Sequence, residues 1–238
     1  MGDSFLPELV ILLPARDEEI GVSEVIDRIP TERIEEMGYS PRVVVVDGHS
    51  SDSTCEVAKG LGAEVIEQNG SIGKGNGVRE ALEVIYSTEH EEDDLLIMLD
   101  ADATYSPEDL PRFIEELQNN DVVWGSRLRG KIEKNAMSST NKIGNKVLSL
   151  VASIVFLRKT TDLCTGYWGF KSRVIKKLGL TARGFALEAD LFGSVVKSKF
   201  RTKEIPIDYA HREGESTLKW YLDGPRILSM TFKKRLFG

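Results

Sequence analysis

Through its first half this chain alternates short apolar segments with helical patterns, and that alternation leaves few folds open. The apolar segments are Leu9–Pro14, Arg42–Asp47, Ala63–Gln68, Asp94–Leu99 and Asp121–Ser126. Each is bounded by Pro, Gly, Asp or Ser, and each reads as a strand. Between them the spacing predicts helices over Ile20–Ile29, Ser53–Leu61, Gly77–Tyr86 and Ser106–Leu117. Ser106 is the expected N-cap of the last, with Pro107 at its first position. Strand and helix in alternation imply βαβ units: an α/β fold with a mostly parallel sheet and helices on both faces. The second half is less regular. A long helical pattern, Met137–Leu157, precedes "TGYWGFKS" (Thr165–Ser172), a helix near Leu187–Lys199 and a strand over Lys203–Ala210. With 238 residues and no low-complexity linker, one large domain accommodates all of it.

The stretch "DDLLIMLDADATYSPEDL" raises the chemical question. Five apolar residues, Leu95–Leu99, run straight into Asp100 and Asp102. In open parallel sheets ligands bind beyond the carboxyl ends of the strands. Alternate residues after a strand point the same way, so both carboxylates can face one point. They repel unless something positive lies between them, and hard oxygen ligands suit Mg²⁺ or Mn²⁺ bridging to substrate phosphates. Asp47 likewise ends a strand expected to be buried and can accept hydrogen bonds from a ribose or base. In "DGHSSDST", Ser50 or Ser51 reads as a cap for the following helix, with Asp52 in its first turn. The glycine-rich "NGSIGKGNG" (Asn69–Gly77), with Lys74, can cradle a phosphate. It matches neither a P-loop nor a dinucleotide fingerprint.

A net charge of −7 argues against a general nucleic-acid binder. Basic residues gather toward the end, where "PRILSMTFKKRLFG" holds Arg226, Lys233, Lys234 and Arg235 without an acid. Cys55 and Cys164 have no metal-ligand spacing. The longest apolar run, Val147–Leu157, is too short to span a bilayer, and no signal peptide is evident.

In order and spacing, "LLPARDEE", "VVVDGHSSDST", "GKGNGVREAL", "MLDADATYSPEDL" and "VVWGSR" resemble glycosyltransferase family 2, the inverting enzymes of GT-A fold. The likeness continues through "NKIGNKVLSLVASI", "TDLCTGYWGFK" and "HREGESTLKW" toward the polyprenyl (dolichyl) phosphate glycosyltransferases, and covers nearly the whole chain. The resemblance implies a nucleotide-sugar-binding half over 1–130, an acceptor-binding half over 131–225, and a basic amphipathic tail over 226–238. It implies that Pro14, Arg16, Glu18 and Asp47 line the base and ribose, and that Asp100 and Asp102 hold the divalent metal on the donor diphosphate. Arg127 would meet the acceptor phosphate, helped by Asn141 and Lys142. Arg212 and Ser216 would fold over the diphosphate, and Glu188 would face the sugar or act as a base.

Some positions depart from the mannose-transferring pattern. Arg16-Asp17-Glu18 stands where Tyr-Asn-Glu is usual, Gly48 where a second Asp is, and Thr104 where a Gln metal ligand is. Met137 replaces an acceptor-side Arg, leaving Lys134, Asn141 and Lys142 as substitutes. The donor is therefore GDP-mannose or a UDP-sugar such as UDP-glucose or UDP-N-acetylglucosamine. A soluble phosphorylated acceptor, or nucleotidyl transfer on a similar sheet, are the competing readings. "PARDEE" is acid-rich where a nucleotidyltransferase carries a Gly-rich basic loop.

Reaching a lipid phosphate requires contact with a membrane surface, on the cytoplasmic face for a peripheral enzyme of this type. Asn145–Leu157, flanked by Lys142, Lys146, Arg158 and Lys159, and the tail from Arg226 are the segments expected to dock. A core helix and a solvated end are the plainer alternatives. Many relatives add transmembrane helices, so an anchoring partner or further membrane segment is a second expectation.

Overall fold

The structure is a computed structural model and describes residues 6–87, 91–212 and 220–237. The first half builds β1 (Glu8–Ala15), α1 (Glu19–Asp27), α2 (Thr31–Glu36), β2 (Ser40–Asp47), α3 (Thr54–Gly60), β3 (Glu64–Glu67), α4 (Lys74–Ile85) and β4 (Leu95–Met98). A 3-10 turn, Pro107–Asp109, leads into α5 (Leu110–Asn119) and β5 (Val122–Ser126). The rest is α6 (Ser139–Phe156), β6 (Trp168–Lys171), α7 (Ser172–Ile175), α8 (Leu187–Lys197), β7 (Thr202–Pro206) and α9 (Trp220–Phe237).

One sheet of seven strands has the order β3-β2-β1-β4-β6-β5-β7. Among the described strands only β6 runs antiparallel, between β4 and β5. The expected mostly parallel α/β sheet is therefore observed, with one reversed strand in its middle. Along β1, Leu9, Ile11 and Leu13 face a core under α1, α3 and α5. Val10 and Leu12 face the other core, under α4, α6 and α8. Burial on both faces is why these strands read as continuous apolar runs. The chain leaves β1 for β2 on one side and returns through β4 on the other, so the sheet switches direction at β1. A crevice opens beyond the carboxyl ends of β1, β2 and β4 there.

Two helices of the second half carry the outer wall of the site. The segment from Arg226 is not a free tail: it is the body of α9, which starts at Trp220 and packs against α6 and α8. A boundary at 226 would cut this helix. Ile227, Thr231 and Lys234 point inward at helical spacing, and Lys234 pairs with buried Asp190 at 2.7 Å. Helix α6 is inside out. Its buried stripe is Asn145, Ser149, Ala152 and Phe156. Its opposite stripe, Ile143, Val147, Leu150, Ile154 and Leu157, is 52–84% exposed.

Candidate active site

The rim begins with the loops after β1 and β2, which lock together. Asp17 adopts a left-handed conformation (φ 54°). Its carboxylate accepts from the Ser51 amide at 2.7 Å and the Ser51 hydroxyl at 3.0 Å, and its amide donates to Ser50 Oγ at 2.9 Å. Those Ser51 bonds hold the Asp17 carboxyl below its ordinary range. Asp47, almost fully buried, accepts from the Ser50 amide at 3.1 Å and hydroxyl at 2.5 Å. Ser50 and Ser51 thus brace Asp47 and Asp17 rather than cap a helix, correcting the expectation. The acid at Asp52 precedes α3 and accepts from the Thr54 amide at 3.0 Å. Ser106, expected as a cap, bonds the Glu108 side chain and makes no capping bond.

After β4 the chain delivers Asp100 and Asp102, with Ala103 left-handed (φ 57°). Backbone strain of this kind at Asp17, His49 and Ala103 marks the ends of three neighbouring strands. The Thr104 amide and hydroxyl donate to Asp102 Oδ1 at 3.2 and 2.6 Å. Thr104 is buried and orients Asp102. Two glycines make room for this turn. A Cβ on Gly166 would lie 2.5 Å from Asp100 Oδ2, and one on Gly21 would lie 2.5 Å from the Ala101 carbonyl oxygen.

Two cations cross the rim. Lys74 Nζ donates to Asp100 at 2.6 Å and to Glu188, in the first turn of α8, at 2.7 Å. The Arg212 guanidinium pairs with Glu18 and with Asp102, the latter at 3.1 Å. Burial pushes the Glu18 carboxyl up to about 7 against the pull of Arg212, with Asp102 and Asp100 adding to the rise. Burial also raises Asp102, reinforced by the charge of Asp100, and raises Glu188 against the pull of Lys74. Lys74 is held well above its ordinary value by Asp100 and Glu188, which outweigh its burial.

The carboxylates Glu18, Asp100, Asp102 and Glu188 therefore outnumber the cations by two. This excess and its all-oxygen donor set fit a hard divalent cation. Among the described residues no three His, Cys, Asp or Glu side chains form a complete ligand group. Asp100 and Asp102 would hold the ion, leaving positions for phosphate oxygens and water.

A cavity of about 880 Å³ runs from these acids outward. Lys74, Asp100, Asp102, Glu188 and Arg212 line it, together with Ile143, Val147 and Leu148 from α6 and Pro225, Ile227 and Leu228 from α9. Asn141 lines it, but Lys142 projects from the exposed side of α6, outside the lining. Arg127 lines it too, yet its fork is taken. Nε and Nη2 donate to the two oxygens of buried Asp162, both at 2.8 Å, and Nη2 also reaches the Cys164 carbonyl at 2.7 Å. Its guanidinium lies 5.1 Å from the Tyr209 ring centre. Nε and Nη2 are thus committed to Asp162 and the Cys164 carbonyl. The glycine-rich segment is not an open phosphate cradle either. Gly73 and Gly75 abut the backbone of Ala182 and Arg183, and the Asn76 amide donates to the Arg183 carbonyl at 3.1 Å. Pro14, Arg16 and Asp47 sit beyond the cavity lining, at the β1–β2 end of the rim, where Arg16 is exposed. Ser216 lies outside the described residues. Sequence reading missed Asp162 and the Lys74–Glu188 pair. An acid beside an apolar helix was the only hint of the first.

Residues 11–179 match the family model described as glycosyl transferase family 2, and the chain belongs to that family. Among curated relatives, "Glycosyltransferase AglJ" of Haloferax volcanii is 31% identical over 209 residues, 87% of this chain and 65% of that protein. A "Dolichyl-phosphate hexose transferase" of the same organism is 30% identical over 231 residues, 95% of this chain and 93% of that protein. The chain spans 65% and 52% of the length of the first two relatives it matches. Among solved structures, glucosyl-3-phosphoglycerate synthase from Mycobacterium tuberculosis, in complex with Mn²⁺, UDP and phosphoglyceric acid, superposes with a TM-score of 0.73. It is 17% identical and covers 98% of this chain and 80% of that one. The shared architecture is the GT-A fold.

Proposed function

We propose that this chain transfers a sugar from a nucleoside-diphosphate sugar to a polyprenyl (dolichyl) phosphate at a membrane surface, with inversion. The observation that carries this reading is the cavity itself, which joins acids and two cations to apolar side chains of α6 and α9. The names of relatives support the same acceptor class: a dolichyl-phosphate hexose transferase, an undecaprenyl-phosphate mannosyltransferase of Micrococcus luteus and a dolichol-phosphate mannosyltransferase of Pyrococcus furiosus. In this reading the donor lies over residues 1–130, against Pro14, Arg16, Glu18 and Asp47, and the acceptor enters through the second half.

Mg²⁺ or Mn²⁺ between Asp100 and Asp102 would neutralise charge on the departing diphosphate. Arg212 supplies a second cation to the same oxygens when it leaves Glu18 and Asp102. Thr104 keeps Asp102 aimed at them. The phosphate acceptor is already anionic near neutral pH and needs no strong base. Glu188, steadied by Lys74, is then free to orient the sugar. Arg127 and Asp162 brace the cavity wall and Tyr209 from behind.

The inside-out face of α6 and the exposed Phe232, Leu236 and Phe237 of α9 would rest in the headgroup region, with Lys142, Lys146, Arg158, Lys233 and Arg235 meeting anionic lipid. No described helix is long and apolar enough to cross a membrane. In this reading docking is peripheral and on the cytoplasmic face, with or without an anchoring partner.

The test is a panel of GDP-mannose, UDP-glucose and UDP-N-acetylglucosamine with a short polyprenyl phosphate and Mg²⁺ or Mn²⁺. Labelled sugar should move into organic solvent for one donor. Transfer only to water-soluble phosphate esters would overturn the lipid acceptor and leave the family intact.

A further inference from the structure

The turn that carries Asp100 and Asp102 is backed by aromatic side chains. Tyr105 and Tyr167 are fully buried, and half-buried Tyr209 joins them from the loop after β7. The Tyr105 ring meets Tyr167 and Tyr209 edge to face, with centres 5.6 and 5.4 Å away. The Arg127 guanidinium lies over both Tyr209 and Tyr105, 5.1 and 6.0 Å from the ring centres. Ring packing and the cation account for aromatic side chains here. They do not account for the hydroxyl of Tyr209.

That hydroxyl hydrogen-bonds the side chain of Thr104. Thr104 Oγ1 carries a single proton, which it donates to Asp102 Oδ1 at 2.6 Å. Its oxygen is therefore the acceptor and the Tyr209 hydroxyl the donor. A relay of two hydroxyls ends on the carboxylate of Asp102, and such chains strengthen their own members. The backbone repeats the attachment one residue on, where the Ala210 amide donates to the Thr104 carbonyl at 2.9 Å. On its other side Tyr209 is tied to the loop after β5. Its amide donates to the Lys131 carbonyl and its carbonyl accepts from the Glu133 amide, both at 2.9 Å. Gly130 permits this approach, since a Cβ there would collide with the Ile207 carbonyl oxygen. The same loop continues into Asn135, Ala136 and Met137, which line the large cavity beside Tyr209.

We propose that Tyr209 is a positioning residue: its hydroxyl, acting through Thr104, fixes Asp102 for a divalent cation, while its ring holds Arg127 and its backbone holds the loop after β5. The inference rests on the metal-dependent reading above. Asp102 Oδ1 is held by the Thr104 amide and hydroxyl. Oδ2 faces Arg212 at 3.1 Å and is the oxygen left to exchange that partner for the ion. Without the Tyr209 hydroxyl, Thr104 Oγ1 is free to turn its proton elsewhere, and Asp102 loses a fixed orientation without losing its charge.

The experiment measures Mn²⁺ binding to the full chain, without substrates, by electron paramagnetic resonance of the free ion. Wild type is compared with Tyr209→Phe, Thr104→Val and the double variant, each also melted thermally. Tyr209→Phe keeps the ring over Arg127 and every backbone bond. It should weaken Mn²⁺ binding about fivefold, the effect of one net hydrogen bond. In the Thr104→Val background the same change should cost nothing further, because the relay is already broken. In Thr104→Ser, which keeps the hydroxyl, it should again cost about fivefold. A wild type that binds Mn²⁺ and a Tyr209→Phe variant that binds it equally well would overturn the proposal and leave the metal reading intact. Losses that add in the Thr104→Val background, or a lowered melting temperature with Mn²⁺ affinity unmoved, would reduce Tyr209 to packing. A wild type that binds no Mn²⁺ would overturn the metal-dependent reading itself, and the proposal with it.

Discussion

The exposed stripe of α6 gives the sharpest test of the membrane reading. Leu150 and Ile154 are 60% and 63% exposed, on the face opposite buried Ser149, Ala152 and Phe156. Full burial of such a side chain is worth about 2.5 kcal/mol, so the exposed three-fifths amounts to about 1.5 kcal/mol each, or about 3 kcal/mol together. At 1.4 kcal/mol per decade, Leu150→Gln/Ile154→Gln should weaken vesicle binding by about two orders of magnitude. Glutamine preserves helix propensity, and surface changes of this kind usually alter stability by only about 0.5 kcal/mol. The assay pairs vesicle flotation with transfer to a short, detergent-dispersed polyprenyl phosphate. Flotation should collapse while dispersed-acceptor turnover and the melting temperature hold. An unchanged flotation, or a large loss of stability, would refute the argument, because the stripe would then be either idle or packed.

Three further outcomes follow from the site. Asp102→Asn should lower turnover by about 100-fold or more through lost charge neutralisation, with the fold intact; activity unchanged in excess EDTA would sink the metal-dependent step. Asp162→Asn strands the buried Arg127 guanidinium, and should cost about 3–5 kcal/mol in urea unfolding. Glu18 titrates near 7 in the folded state against an ordinary 4.5, so its contribution to stability is fully present below 4.5 and lost as pH rises through 7. Urea unfolding of Glu18→Gln across that window should show a smaller decline with pH than the wild type.

The strands of the first half were legible because burial on both faces writes continuous apolar runs into the sequence. Asp100 and Asp102 were legible because carboxylates rarely follow such a run without purpose. Strand β6 was not, since nothing local in "TGYWGFKS" encodes its direction; its reversal follows from where α6 returns the chain to the sheet. Helix α9 was hidden by Gly224-Pro225, a pair that ordinarily interrupts a helix. The electrostatic partners were hidden by distance along the chain. Arg127 and Asp162 are 35 residues apart, Lys74 and Glu188 are 114, and Glu18 and Arg212 are 194. Periodicity reports what a segment buries, not which distant charge answers it.

That charge arrangement also bears on how two anionic substrates could share one crevice. A nucleoside diphosphate and a phosphate monoester would both enter a site whose carboxylates already exceed its cations by two. Lys74 and Arg212 cannot serve the phosphates while both stay fully committed to Asp100, Glu188, Glu18 and Asp102. If Arg212 turns toward the diphosphate, Glu18 and Asp102 lose their partner. Glu18 can relieve part of that cost by taking a proton near neutral pH. Asp102 remains aimed by Thr104 and beside Asp100, and its charge calls for a cation that the described side chains do not provide. A divalent ion at this pair would offset the two-charge excess of the acids, which is the ground for proposing a metal-dependent transfer.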